Sequence, residues 1–153
     1  MSWTSRLPGA MDALVATFTS WPGLAGVTVR DGPSTSQATV QEIVSVGYTG
    51  SEDTGDADSS LVAEGLGGER DREQVTIRCA VAVLKGSDDI PGARKRAYEL
   101  LSQAGAALAS NRTLNGTVMQ SMIASHSLSM DLTPKGAQAV VVFEVSCDAY
   151  TGS

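Results

Sequence analysis

Hydrophobic and polar residues alternate along three stretches of the chain, and this alternation predicts β-strands. The clearest stretch runs from Glu73 to Leu84, where every second side chain is apolar. The same alternation covers Thr117 to Leu132, where Met122 and Leu128 are expected on the same face, and Ala137 to Tyr150. Because the turn residues Thr133-Pro134-Lys135-Gly136 separate these two stretches, the pattern predicts an antiparallel hairpin.

Apolar residues at three- and four-residue spacing predict two helices. The first begins at Pro8 and ends at Trp21-Pro22-Gly23. The second follows Ser87-Asp88-Asp89, whose side chains can accept hydrogen bonds from the free N–H groups at a helix start. Asn111 is its expected left-handed stop.

Two weaker strands are predicted at Val27–Val29 and Ala38–Tyr48. With no βαβ repetition along the chain, the element order predicts an α+β fold in a single domain over residues 1–153. We expect a mostly antiparallel sheet of about four to five strands with two helices packed on one face. The other face is rich in Ser and Thr, and we expect it to meet water or a neighbouring subunit.

The negative charge of the chain is concentrated in one segment. Between Thr49 and Gln74 there are eight acidic residues and two arginines, which together account for the whole net charge of −6. Few β-branched or aromatic residues occur between Thr49 and Gly68, so we predict a flexible acidic loop over residues 49–72. The candidate channel-lining or partner-binding residues of this loop are Glu52, Asp53, Asp56, Asp58 and Glu64.

Composition argues against several classes of function. General binding to nucleic acid needs a basic face that displaces counterions from phosphates, and we expect none here. No stretch approaches the roughly 18 apolar residues of a membrane-spanning helix. Residues 1–6 lack the charged start and apolar run of a signal peptide, so we expect the chain to fold in the cytoplasm.

Candidate catalytic chemistry is sparse, and we expect no enzyme, metal or cofactor. The one histidine, His126, is expected to be a partly buried structural residue, although the sequence alone leaves a catalytic role open. Cys79 and Cys147 lie in apolar runs and are expected to be core residues rather than a disulfide. The sequence Gly65-Leu66-Gly67-Gly68 lacks the Lys-Ser/Thr of a phosphate-binding loop.

Two features suggest contacts between subunits. The basic cluster Arg94, Lys95 and Arg96 begins the second helix and could pair with acids of a neighbour, or simply face water. Trp3 and Trp21 are expected to be core or interface anchors, with Trp3 the better candidate for touching a partner.

The order of features from Arg72 to Tyr150 resembles the tail-terminator (tail-completion) family of long-tailed bacteriophages. The most suggestive piece is Thr113-Leu114-Asn115-Gly116-Thr117-Val118, which follows an alanine-rich helix. The other matching pieces are the strand starting at Glu73, Asp88-Asp89 before a helix from Ala93 to Leu101, Ala107-Leu108, and Gly136-Ala137 before a strand ending Asp148-Ala149-Tyr150.

This resemblance implies a virion structural protein of the tail and neck. Such a protein would form a ring, expected to be a hexamer, that caps the tail tube, ends tube polymerisation and offers a surface to the neck or head-closure protein. DNA would pass through the ring without specific binding, and the acidic loop is expected to line the channel or dock on the tube. The family has no catalytic motif, so no functional residue is carried over.

Two alternatives remain open at this level. Another neck component of the same virion, such as a head-closure or connector protein, shares small α+β folds and ring symmetry. A small cytoplasmic ligand-binding or enzymatic domain would need a pocket with converging polar groups.

Overall fold

A computed structural model describes residues 4–32, 41–49, 56–62 and 71–151. In these ranges the chain forms two α-helices, a short 3-10 turn and one six-stranded sheet. The helices are α1 (Leu7–Ser20) and α2 (Ile90–Ser110), with the 3-10 turn at Pro22–Leu24. The strands are β1 (Thr28–Asp31), β2 (Glu42–Val46), β3 (Ala57–Val62), β4 (Arg72–Leu84), β5 (Gln120–Thr133) and β6 (Gly136–Tyr150).

The sheet has the strand order β1-β2-β4-β6-β5. Strand β3 pairs with the same edge of β4 as β2 does, at residues 72–77 of β4, whereas β2 pairs with residues 79–83. Strands β4 and β6 form the centre of the sheet and pair along their whole length, from Arg72 opposite Tyr150 to Leu84 opposite Gln138. All pairs are antiparallel except β1 with β2, which run parallel. The predicted α+β class and mostly antiparallel sheet are therefore confirmed.

The two helices cover one face of the sheet, because one set of alternating side chains on β4 and β6 is apolar except for Glu73 at the start of β4. Phe143 of β6 meets Phe18 of α1 edge-to-face, with ring centroids 6.4 Å apart. Leu100 and Leu108 of α2 are buried in the same core. The alternation in the sequence therefore identifies the face of the sheet that the helices cover.

The start of α2 agrees with the prediction, whereas its end does not. Asp89 caps the helix through its Oδ1, which accepts a hydrogen bond from the backbone N–H of Gly92 at 3.1 Å. Asn111 has φ of −145° and is not left-handed. The left-handed backbone comes three residues later, at Leu114 and Asn115, with φ of 47° and 61°. There Asn111 acts through its side chain instead, because its Oδ1 accepts a bond from the Asn115 N–H at 3.1 Å.

The predicted flexible loop over residues 49–72 contains a strand. Residues 57–62 form β3, which pairs with β4 from Ala57 opposite Ile77 to Val62 opposite Arg72. Four of its six side chains are exposed, so β3 carries little of the apolar signal by which strands are recognised in a sequence. Residues 50–55 and 63–70 of the predicted loop lie outside the described residues.

A register shift in β5 corrects the predicted faces of the hairpin. The pairing with β6 shifts between Ile123 and Ser125, as in a β-bulge that sets one extra residue against its partner strand. After the shift, Leu128 lies on the helix side, opposite Val141, as expected. Before it, Met122 lies opposite Ser146 on the other side of the sheet, so its predicted place beside Leu128 was wrong.

Candidate functional site

The face of the sheet opposite the helices, called here the open face, is not covered by any described helix. Ser residues are present on it as expected, among them Ser125, Ser127 and Ser129 of β5, but the part next to β2 is aliphatic. Ile43 of β2 lies opposite Ala82 of β4, which in turn lies opposite Val140 of β6. Two adjoining cavities of about 450 and 340 Å³ share Ile43 and Ala82 in their walls. The open face therefore contains an apolar trough instead of a uniformly polar surface.

The other half of the open face carries a row of charges across three strands. Arg78 of β4 lies opposite Glu144 of β6, and its Nε is 3.5 Å from Glu144 Oε1. On the other side, Arg78 Nη2 is 2.8 Å from Asp58 Oδ2 of β3. Both acids are more exposed than the arginine, so the row ties β3, β4 and β6 together at a solvated surface.

The row of charges includes Asp58, one of the predicted acidic site residues. Asp58 belongs to a strand and pairs with Arg78 instead of lying in a loop. Asp56 is exposed, and its backbone carbonyl accepts a hydrogen bond from the Arg78 N–H at 2.9 Å. Glu52, Asp53 and Glu64 lie outside the described residues. Of the candidate acidic residues that are described, Asp56 therefore lies just before β3 and Asp58 lies in it.

The basic cluster at the start of α2 divides into two kinds of residue. Arg96 binds Glu42 of β2 through two hydrogen bonds, from Nε at 2.6 Å and from Nη2 at 3.1 Å, and also contacts Glu99 at 3.3 Å. The Arg96 hydrogen bonds lower the pKa of Glu42 below its ordinary value. Arg94 and Lys95 are exposed. Arg96 thus joins α2 to the sheet, and the other two residues remain candidates for contact with a neighbour.

A buried carboxylate that the sequence did not single out anchors the N-terminal region. Glu73 is fully buried and accepts hydrogen bonds from the Ser5 hydroxyl and from the backbone N–H of Arg6, the latter at 2.7 Å. Arg6 Nε also donates to the Tyr150 carbonyl at 3.2 Å. Because both Glu73 oxygens hold the chain just before α1, the arrangement is suited to structure and not to acid–base chemistry.

His126 lies on the surface of β5, so its expected partial burial was wrong. Its ring meets Tyr98 of α2 edge-to-face at 5.5 Å, and its Nδ1 lies 3.2 Å from the Tyr98 hydroxyl. Within the described part of the chain, neither a carboxylate nor a nucleophile is hydrogen-bonded to this imidazole. The pair joins α2 to the outermost strand of the sheet.

The two cysteines are buried and free, as the alternating pattern predicts. Burial raises the pKa of the Cys79 thiol and of the Cys147 thiol to about 12 in each case. Both therefore stay protonated near neutral pH, as packing residues do. Trp21 is half-buried, and its Nε1 donates to Gln103 Oε1 at 2.9 Å, which joins the end of α1 to α2. Trp3 lies outside the described residues.

The described part of the chain contains neither a cluster of metal ligands nor a membrane-spanning helix. Across residues 4–32, 41–49, 56–62 and 71–151, no three His, Cys, Asp or Glu residues are grouped so that they could hold a metal ion. None of the helices described in those ranges is long and apolar enough to cross a membrane.

No model of a protein family matches the chain, and no similar protein was found among the curated proteins.

The two lateral edges of the sheet are not apparent from the apolar pattern of the sequence. Large apolar side chains are exposed on the edge strands, with Leu61 on β3 and Met122 and Leu132 on β5. One signal in the sequence could have drawn attention to β5, since its 14 residues include a single carboxylate, Asp131, and neither Lys nor Arg. Long edge strands normally carry charges that discourage pairing with another chain.

Proposed function

We propose that this chain is a virion structural protein that forms a ring on the tail tube of a long-tailed bacteriophage. The ring ends polymerisation of the tube and offers an attachment surface to the head and neck. One observation carries the proposal, namely the order of segments from Arg72 to Tyr150, which resembles that of tail-terminator proteins.

The most suggestive of these segments, Thr113 to Val118, has a clear physical role in the fold. It forms the turn that leads from α2 to β5, and Leu114 and Val118 point into the core. Leu114, Asn115 and Gly116 all have positive φ, which is unusual for three consecutive residues. A connection with these requirements restricts its sequence strongly, so the resemblance of this segment to the tail-terminator pattern supports the proposal.

The surface of the molecule gives further support to a role in assembly. The open face has an apolar trough beside a row of charges, and the edge strands expose large apolar side chains. Apolar patches on a surface are typical of interfaces between proteins. The walls of the two trough cavities are mixed: Ile43 and Ala82 lie beside the polar residues Arg30, Ser45 and Tyr48 in one cavity and Thr133, Lys135 and Gln138 in the other.

The acidic segment has a function in this proposal that depends on its charge. A negative channel wall repels DNA phosphates and lets the genome pass without binding. Replacing Glu52, Asp53, Asp56 and Asp58 with their amides is expected to slow DNA ejection while tail length stays normal. Ejection at the normal rate would contradict this part of the proposal alone.

Electron microscopy of tails tests the main proposal. In a lysate of the phage that encodes this chain, disruption of its gene is expected to give tubes of uncontrolled, excessive length that are unattached to capsids. Tails of normal length that fail to join heads would instead indicate another neck component, such as a head-closure protein. Intact infectious virions would exclude a structural role.

A further inference from the structure

Strand β5 forms one lateral edge of the sheet, and the C-terminal half of this edge lacks the usual protection against pairing. Among the described strands, β5 pairs with β6 alone. The register shift between Ile123 and Ser125 disturbs the N-terminal half of β5. From Ser125 to Thr133 the pairing with β6 is regular, and this half contains one carboxylate, Asp131, and neither Lys nor Arg. Bulges and charges are two devices that keep edge strands apart, so the regular half is the part that can accept another strand.

The side chains of this half are apolar on one side of the sheet and small and polar on the other. The apolar ones lie on the helix side, because their partners on β6 are buried, and they are Leu128, Met130 and Leu132. Leu132 is 57% exposed, and the other two pack in part against the core. The exposed serines on the open-face side are Ser125, Ser127 and Ser129. No bulky charged side chain therefore holds a second strand away from this edge.

A second copy of the same half-strand fits this edge in antiparallel direction. If the whole stretch from Ser125 to Thr133 pairs, its middle residue, Ser129, lies opposite Ser129 of the second copy. Leu128 then lies opposite Met130 of the second copy, so apolar side chains meet across the contact. Cross-strand pairs of this kind stabilise a sheet.

The same register also separates the two carboxylates. Asp131 of one copy lies opposite Ser127 of the other, and the two Asp131 residues are about 13 Å apart along the strands. Like charges directly opposite each other would destabilise the pair, and this register avoids them. The edge is therefore complementary to itself in both shape and charge, as a two-fold contact between identical chains requires.

We propose that two copies of this chain pair in antiparallel direction through residues 125–133 of β5, about a two-fold axis at Ser129. The pairing extends the six-stranded sheet across both copies. The inference does not depend on the proposed function. A ring made by rotation of identical subunits joins two different surfaces at each contact, whereas a two-fold pair joins one surface to itself, so this pair is a state of the free chain.

Single cysteines along β5 test the register in the purified chain. Ser127 and Ser129 are both exposed on the open-face side, and the native cysteines are buried. Residues directly opposite each other in an antiparallel pair have Cα atoms about 4.5 to 5.5 Å apart, within the reach of a disulfide bond. S129C is therefore expected to give a covalent dimer under mild oxidation. S127C is the matched control and is expected to stay monomeric, because its two copies are about 13 Å apart.

Two other results would overturn the inference. A monomeric S129C would exclude the pairing, and equal dimer yields from S127C and S129C would indicate random collision instead of a fixed register. Neither result bears on the length of tails after gene disruption, so the inference and the proposed function can fail separately.

A charge reversal between two neighbouring positions gives a second measurement, made by sedimentation equilibrium. The average mass of the wild-type chain is expected to rise with concentration from 15.8 kDa toward twice that value. S129K places two lysines directly opposite each other and is expected to raise the Kd of the dimer about fivefold. S127K adds the same charge opposite Asp131 of the second copy and is expected to dimerise at least as tightly as wild type. A monomeric mass at every concentration, or equal weakening by both lysines, would contradict the proposed pairing.

Discussion

The backbone N–H of Arg6 donates a hydrogen bond of 2.7 Å to the buried carboxylate of Glu73. These residues are 67 positions apart in the sequence, and their contact fixes the start of α1 against the start of β4. The Ser5 hydroxyl donates to the second oxygen of the same carboxylate. The N-terminal segment is therefore held by polar contacts to the sheet as well as by the apolar face of α1.

Removal of this carboxylate is expected to destabilise the fold. Glu73→Ala leaves the Arg6 N–H and the Ser5 hydroxyl without their buried acceptor, and we expect a loss of about 2 kcal/mol in the free energy of unfolding. Urea denaturation measures the loss. Gln74→Ala, at the exposed neighbouring position, is the control and is expected to change the free energy by less than about 0.5 kcal/mol. Equal unfolding curves for Glu73→Ala and wild type would show that the buried contact contributes nothing.

The pair of Glu42 and Arg96 is expected to make stability depend on pH in the acid range. Hydrogen bonds from Arg96 lower the pKa of Glu42 in the folded chain. Its contribution is therefore fully present above the ordinary glutamate pKa of about 4.3 and is lost as pH falls through the lowered value. At pH 7, Glu42→Gln is expected to unfold about 1 kcal/mol more easily than wild type, since the pair is partly exposed.

The Glu42→Gln variant also tests the direction of this pH dependence of stability. As pH falls below the ordinary glutamate range, the difference between wild type and Glu42→Gln in thermal unfolding is expected to shrink. Glu99→Gln, which removes a longer contact of Arg96, serves as the control with a smaller effect. A difference that stays constant from pH 7 to the acid range would contradict the assigned cause.

The thiols of Cys79 and Cys147 are expected to resist labelling in the native protein. Burial shields them, and their pKa of about 12 leaves almost no thiolate at neutral pH. Reaction with a chromogenic disulfide reagent is expected to follow global unfolding, with both thiols reacting at once in denaturant. A cysteine placed at the exposed Ser102 is the control and is expected to react immediately. Rapid native labelling of the wild-type chain would indicate local opening of the central strands.

Gly136 is expected to tolerate no side chain. Its φ is +125°, and a Cβ there would lie 1.9 Å from the backbone oxygen of Lys85, where the hairpin meets the connection to α2. Gly136→Ala is expected to cost about 2 to 3 kcal/mol of unfolding free energy from backbone strain and overlap. Gly86→Ala, which meets open space in the same region, is the control and is expected to be nearly neutral. Similar melting temperatures for the two variants would contradict this account.

The sequence by itself determined the elements whose local pattern matches their environment. β4, β6 and both helices are long, and one face of each is buried, so their apolar residues recur with the period of the element. The turn between Thr133 and Gly136 and the Asp89 cap also follow from local chemistry. The α+β class follows from the order of these elements.

Only the tertiary structure decided the features that depend on distant partners. β3 is a strand because β4 offers it hydrogen bonds, although its own side chains are mostly exposed. Asp58 pairs with Arg78, and Arg96 with Glu42, across 20 and 54 residues of chain. The bulge in β5 reverses the side on which Met122 lies. Such contacts leave no periodic signal, because they depend on which strands lie next to each other, and that arrangement is set by the packing of the whole core.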